Sequence, residues 1–420
     1  MRILWIAPNG GNYKKGIVKG TGGWIGALQD ELTKRVPNLE LGITFISTTD
    51  NETITEGNVA YLPVQFSTGG NKVATILHGI FGKLTNDEEV IAQKIKQRID
   101  EYRPDVIHVW GIENAYASVI PLIDRPFVVH IQGLLSEYLY VYLPYGFSKH
   151  DFFKADFPVR WFLRAGNFRD YRHAQHRAAR EIAMGKYVKS WIGRTDWDYT
   201  MSQMLSPGSR YFHCEEMMRG DFNGAKWQYH YDGKTIHIHS SISPEWYKGM
   251  DIVLKTAKIL KDQGVNIDWH VYGVGRSNDR LKYFIKKLRI VPENVSVNFH
   301  GRVDGKTIRD GLLSCDTYVH PAYIENSSNA IAEAMMLGVP TIANAVGGNA
   351  TMLRHNSGVL VAPNESYILA FAIMEMRDAE IAEGFSERAL KVAKERQNAD
   401  KTVETLVEIY KQVVHIKKLS

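Results

Sequence analysis

Residues 316–345 read in turn as a strand, a polar loop, a short apolar helix and a second strand, and no other stretch restricts the fold as tightly. Asp-Thr-Tyr-Val-His-Pro reads as a buried strand ended by Pro321, because proline cannot donate to a sheet ladder. Pro-Thr-Ile-Ala-Asn-Ala, 340–345, reads as another. The helix between them runs to Leu337, with Gly338 placed to cap it and Pro340 to stop it. Asn326, Ser327 and Ser328 then fall where a strand gives way to a helix N-terminus. Backbone N–H groups and the positive end of the helix dipole meet there, which makes a seat for phosphate. Glu333, about two turns in, is within reach of the ribose of a nucleotide whose phosphates rest on that end. Glu325 stands eight positions earlier, ahead of the helix.

The same alternation runs through the whole chain. Strands are expected at 2–7, 41–47, 105–110, 127–131 and 187–193, with helices around 88–102 and 168–184. Further strands are expected at 235–241, 267–272, 295–300, 316–320 and 341–345, with helices at 249–261 and 280–288. Strands alternating with helices of this length form parallel, doubly wound sheets. At 420 residues and 44% hydrophobic content the chain exceeds one ordinary domain and fills two cores. The boundary is expected within 206–233, and 402–418 has the apolar spacing of a closing helix.

The first residues start directly on a strand, so no signal peptide is expected, and no apolar run approaches the roughly 20 residues of a membrane span. Cys214 and Cys315 alone make neither a disulfide framework nor a zinc site. A cytoplasmic location follows as the expectation. The net charge of +5 is modest but uneven. From Lys149 to Arg194 basic residues outnumber acidic ones, with Phe152, Phe153, Phe157, Trp161, Phe162, Phe168 and Tyr171 interleaved. No nucleic-acid motif accompanies them, so no nucleic-acid partner is expected. The segment fits either an anionic membrane surface, giving peripheral attachment at its inner face, or an ordinary basic helix face.

The run Ile-Glu-Asn-Ser-Ser-Asn-Ala-Ile-Ala-Glu-Ala-Met-Met-Leu-Gly-Val-Pro-Thr-Ile-Ala-Asn-Ala-Val-Gly-Gly, 324–348, resembles the E-x7-E signature of retaining glycosyltransferases of family 4. It looks most like the subgroup from bacterial polysaccharide gene clusters. The resemblance implies the α/β GT-B fold, two doubly wound Rossmann-like domains facing each other across a cleft. Residues 1–215 would be the acceptor side, 216–400 the nucleotide-sugar side, and 401–420 a helix crossing back to the first domain. It also implies transfer of a sugar from a UDP- or GDP-linked donor to a glycan or lipid-linked acceptor, with no metal and no cofactor. Two rivals share the features: a nucleotide-sugar 2-epimerase of the same fold, and a non-catalytic sugar-nucleotide or glycan-binding protein.

Carried over residue by residue, the resemblance assigns the donor to Gly22, Gly23, Lys248, Arg302, Glu325, Asn326, Ser327, Ser328, Asn329 and Glu333. Lys248, in Trp-Tyr-Lys-Gly-Met, matches the lysine that holds donor phosphates. The family's nearby Gly-Arg pair is replaced here by Ser240, Ser241 and Ile242, so either Arg276 or another basic group substitutes or donor binding is weak. On the acceptor side stand Gln132, where relatives often have histidine, and Arg194. His130 joins Lys248 and Glu325 as a catalytic candidate, although a strand histidine is more often a satisfied core residue. Asp196 and Asp198 have metal-site spacing, but Thr195 follows a strand, so Asp198 is expected to complete a capping box. Neither Gly20-x-Gly22-x-x-x-Gly26 nor Tyr272-Gly-Val-Gly has dinucleotide-fingerprint spacing, so an NAD enzyme is not expected.

Overall fold

The computed structural model describes residues 1–14, 23–66, 84–155 and 166–419, apart from the side chains of 84–86, 418 and 419. They form two compact units. One takes in the described parts of Met1–Leu139, Asp156–Arg219 and Asn398–Ser420; the other comprises Tyr140–Ala155 and Gly220–Gln397. The strands are β1 (Arg2–Ile6), β2 (Glu40–Ser47), β3 (Ile54–Glu56), β4 (Val59–Gln65), β5 (Val106–Trp110), β6 (Phe127–His130), β7 (Ser190–Gly193), β8 (Arg210–His213), β9 (Ile236–Ser241), β10 (Ile267–Tyr272), β11 (Val297–Gly301), β12 (Thr317–His320), β13 (Thr341–Asn344) and β14 (Val359–Val361). The helices used below are α1 (Gly23–Arg35), α2 (Leu135–Tyr138), α3 (Lys149–Lys154), α4 (Asn167–Gly185), α5 (Asp196–Leu205), α6 (Met250–Asp262), α7 (Asp279–Leu288), α8 (Asn329–Leu337), α9 (Asn349–Met352) and α10 (Ala399–Leu419).

The first unit holds a sheet of order β3-β4-β2-β1-β5-β6-β7-β8, parallel except for the β3–β4 pair. A parallel sheet is covered on both faces, so its strands read as unbroken apolar runs. Every residue of β5, Val-Ile-His-Val-Trp, is buried. One face packs Trp5, Trp110 and Leu28 with Leu406, Tyr410 and Val413 of α10. Tyr410 accepts a hydrogen bond from Trp5 Nε1 at 3.0 Å and meets His108 Nδ1 at 2.7 Å. The closing helix is therefore part of the first unit's core.

The second unit holds a fully parallel sheet of order β11-β10-β9-β12-β13-β14. The chain lays β10 and β11 to one side of β9, then returns to place β12, β13 and β14 on the other. Where the order reverses, helices leave opposite faces, and a crevice opens at the C-terminal ends of β9 and β12. That is where this fold class offers a ligand site.

Residues 140–155 correct the expected division, for they pack with the second unit instead of the first. Phe152 is 1% exposed and meets Trp246 edge-on at 5.1 Å; Phe147 meets Phe284 at 5.2 Å. Asp151, whose side chain caps α3 from within a capping box, also bonds Lys287 at 2.7 Å. Lys287, with the Ser148 backbone, holds the Asp151 carboxyl well below the usual range. Phe152, the first aromatic of the basic segment, thus serves a core. Phe157, Trp161 and Phe162 lie outside the described residues.

Candidate functional site

Lys248 and Glu325 come from the two loops that flank the crevice of the second unit. After β9 the chain makes a 3-10 turn over Trp246–Lys248 and then a left-handed step at Gly249, φ 81°, that starts α6. A Cβ on Gly249 would stand 2.2 Å from the carbonyl oxygen of Pro321, so only glycine lets the turn lie against the end of β12. This fixes Lys248 beside the loop after β12. Its Nζ donates to Glu325 Oε2 at 2.6 Å.

The Glu325 backbone is braced from the other side. Gly348 N donates to Glu325 O at 2.9 Å, and a Cβ on Gly347 would fall 1.8 Å from that oxygen. Asn344 Nδ2 donates to Pro321 O and Ala322 O at 2.9 and 3.0 Å, and Asn349 Nδ2 holds Asn344 O at 2.9 Å. The Val-Gly-Gly that ends the motif is therefore the clamp on its first glutamate.

His320 Nε2 also reaches Glu325 Oε2, at 3.2 Å, and His320 Nδ1 meets the Tyr318 hydroxyl at 3.0 Å. Burial alone raises the Glu325 carboxyl, but Lys248 and His320 together bring it down to about 2. Burial, with Glu333 and Glu325 close by, pushes the Tyr318 hydroxyl well above its ordinary range. Glu325 is thus a carboxylate held by two donors on one oxygen. Oε1 accepts no hydrogen bond among the described residues.

Glu333 lies on α8, buried at 5% exposure. Ser328 caps α8, its side chain accepting from Ile331 N, and Gly338 ends it in the left-handed conformation, φ 76°. The donors at the helix entrance are poorly matched. Ser328 N points at the Met352 sulfur at 3.1 Å and Ser327 Oγ at the same atom at 3.7 Å. Thioether sulfur is a weak acceptor. Asn326 Nδ2 is buried with no partner among the described residues. Poorly satisfied donors at a helix N-terminus are what an anion binds to. Asn329 is the first residue of α8.

Other sequence candidates fall elsewhere. Arg302 is exposed in the turn after β11. Arg276, offered as a substitute cation, pairs at the surface with Glu293 through Nε at 2.6 Å and Nη2 at 3.3 Å. Ser240, in the arginine's place, is a core tie: it donates to Val319 O at 2.7 Å and accepts from Trp269 Nε1 at 3.0 Å. In the first unit Gly23, φ 57°, opens α1, and Gly22 lies outside the described residues. His130 is 1% exposed, stacked on Trp110 at 4.8 Å and His108 at 5.4 Å. Burial drives its basicity far down, so it is a neutral core ring. Gln132 and Arg194 are joined through Glu216, at 2.6 and 2.8 Å. Burial pushes the Glu216 carboxyl up against the pull of Arg194. Thr195 and Asp198 form the capping box of α5, with Asp198 Oδ2 also accepting from Arg194 N at 2.9 Å. Sequence reasoning missed His320, Tyr318 and Glu216. The first two share a face of β12 just ahead of the motif, since i and i+2 point the same way; Glu216 carried no signal.

Residues 226–392 match the family described as Glycosyl transferases group 1. The fold is GT-B. The structure aligns over 99% of its length with 99% of sucrose-phosphate synthase from Thermosynechococcus elongatus, TM-score 0.70, at 14% identity. HepE of Anabaena in complex with UDP-glucose aligns over 98% of this chain and 100% of its own, TM-score 0.61, at 17% identity. In sequence, Protein CapJ of Staphylococcus aureus is 35% identical over 104 residues, 24% of this chain and 26% of CapJ. TuaC of Bacillus subtilis (strain 168), named for teichuronic acid biosynthesis, is 33% identical over 81 residues, 19% of this chain and 21% of its own. The matches thus span about a quarter of the length of these curated relatives. Among the described residues no helix is long and apolar enough to cross a membrane.

Proposed function

We propose that this chain is a retaining glycosyltransferase of family 4 that moves a sugar from a UDP- or GDP-linked donor to a glycan or lipid-linked acceptor in bacterial surface polysaccharide synthesis. The observation that carries the proposal is the meeting of Lys248, Glu325 and His320 at the C-terminal ends of β9 and β12, beside the under-satisfied entrance of α8. The name of TuaC and the UDP-glucose bound by HepE agree with it.

In this scheme Glu333 accepts the ribose hydroxyls. The donor phosphates lie on Ser327, Ser328, Asn329 and Lys248, whose ammonium has three donors and gives one to Glu325. Glu325 presents Oε1 to the sugar. Lys248 stabilises charge on the leaving phosphate, which itself assists deprotonation of the acceptor in a front-face displacement. Gln132, Arg194 and the Glu216 that joins them are assigned to the acceptor. No divalent metal takes part, since Asp198 is committed to a cap and the phosphates have their own donors. His130, sealed among aromatics, is given no proton-transfer step.

Attachment to the inner face of a membrane belongs to the same proposal. Among the described residues the exposed basic carriers include Lys149 and Lys154 of α3, Arg169 and Arg172 of α4, and Lys186 and Lys189 after it, with Tyr187 exposed among them. The test is a panel of UDP, GDP and their sugars, scored by thermal shift and by donor hydrolysis with and without chelator. Stabilisation by a nucleoside diphosphate and chelator-resistant turnover support the assignment. An epimer formed from donor alone, or no nucleotide effect on unfolding, overturns it.

A further inference from the structure

We infer that His320, backed by Tyr318, is a positioning residue that orients Glu325 so that Oε1 is presented to the donor sugar; this rests on the glycosyl-transfer assignment above. Three observations carry it. Both protein donors converge on Oε2: Lys248 Nζ at 2.6 Å and His320 Nε2 at 3.2 Å. Oε1 accepts no hydrogen bond among the described residues. His320 is itself fixed, with its side chain 3% exposed and Nδ1 3.0 Å from the Tyr318 hydroxyl.

The tautomer follows from the partners. An ionised carboxylate only accepts, so the hydrogen bond to Glu325 requires a proton on Nε2. In a neutral ring Nδ1 is then the acceptor, and the Tyr318 hydroxyl donates to it. Without that hydroxyl the ring is free to carry its proton on Nδ1 and turn a lone pair on Nε2 toward the carboxylate. Lys248 alone would then hold Glu325, and the same ammonium also has phosphate to meet. Two fixed donors set both the position and the rotation of the carboxylate; one flexible lysine sets neither, because its ammonium is a point charge on four methylenes. The ring meets Glu325 from the loop after β12, which also holds Lys248, and Tyr318 from β12; Tyr318 in turn has Glu333 of α8 nearby and the His239 ring of β9 at 5.9 Å.

The experiment compares the full chain with His320→Ala, His320→Gln and Tyr318→Phe on whichever UDP- or GDP-sugar the wild type turns over. His320→Ala is expected to lower kcat by about 10–100-fold, the scale of a misplaced reacting group, while affinity for the plain nucleoside diphosphate stays within about twofold. His320→Gln restores a donor near the Nε2 position and is expected to recover most of the rate. Tyr318→Phe, which removes the hydroxyl that fixes the ring, is expected to lower kcat by less than His320→Ala does, with affinity for the plain nucleoside diphosphate again within about twofold. Equal losses of nucleotide affinity and rate in His320→Ala overturn the inference. So does full activity in His320→Ala, or a Tyr318→Phe chain that loses nucleotide affinity as much as rate. A wild-type chain that binds no nucleotide and turns over no sugar nucleotide sinks the glycosyl-transfer assignment and the inference with it.

Discussion

Glu325 is where single-residue chemistry is most concentrated, and its charge state links the site to stability. Its carboxyl is depressed to about 2 in the folded chain, below the 4.5 of an unperturbed glutamate. The unfolded chain therefore binds more protons between those values, and stability rises with pH across that window. The contribution is fully present above about pH 4.5 and is lost as pH falls through about 2. It amounts to about 3 kcal/mol. Urea unfolding of wild type and Glu325→Gln should show a wild-type advantage at pH 7 that shrinks by pH 3; an advantage independent of pH would falsify the assignment. Glu333→Gln tests the other end of the motif. It should weaken binding of the bare nucleoside diphosphate about tenfold, a loss of roughly 1–2 kcal/mol in hydrogen bonding, with the thermal midpoint little changed. Unchanged affinity by calorimetry removes Glu333 from the ribose.

At the scale of elements, close backbone approaches position the site, and these depend on absent side chains. Gly249→Ala places a methyl against Pro321 O at a left-handed φ, so both the turn and Lys248 must move. A destabilisation of at least about 2 kcal/mol is expected, together with weaker nucleotide binding. A normal melting curve with normal affinity would show that the turn is not a constraint. The closing helix α10 is tied through one hydroxyl. Tyr410→Phe leaves the buried Trp5 indole N–H without its acceptor and His108 Nδ1 without its donor. The expected cost is about 1–3 kcal/mol in chemical denaturation. A change below about 0.5 kcal/mol would mean that apolar packing of Leu406 and Val413 already suffices.

For the whole molecule, the donor assignment concerns one of the two units, and that gives a regional test. A nucleoside diphosphate at about 100 times its dissociation constant should stabilise the unit it binds by roughly 2.7 kcal/mol. Hydrogen exchange with UDP or GDP should slow in the loops after β9 and β12 and at the start of α8. Protection confined to residues of the first unit would contradict the assignment of the donor to Lys248, Glu325 and Glu333.

Much of this was legible because parallel strands in a doubly wound sheet are buried on both faces and read as uninterrupted apolar runs. β1, β5, β10, β12 and β13 were all visible this way to within a residue or two. β4 was not, since Pro63 interrupts it. Leu41 N bonds Asn58 O and Phe66 N bonds Ser47 O, so even-numbered residues of β4 face β2. The missing N–H of Pro63 therefore points to the other edge, beyond the reach of the three-residue β3. Likewise the capping box at Thr195 and the Gly338 stop are local and could be read from spacing alone.

What the sequence determined by itself, then, is whatever depends on neighbours a few positions apart: the strand–loop–helix around Glu325, its caps, the phosphate-seat geometry of Ser328, and the alternation that requires parallel sheets. Tertiary structure alone decided the rest. Only the pairing of β9 with β12 brings Lys248 to Glu325, 77 positions away. Only the buried face of β12 turns His320 from a strand residue into a carboxylate partner. Residues 140–155 join the second unit through contacts of Phe147 with Phe284 and of Phe152 with Trp246, rings far downstream in the chain. A basic aromatic composition cannot reveal such partners, because burial depends on what the rest of the chain brings alongside.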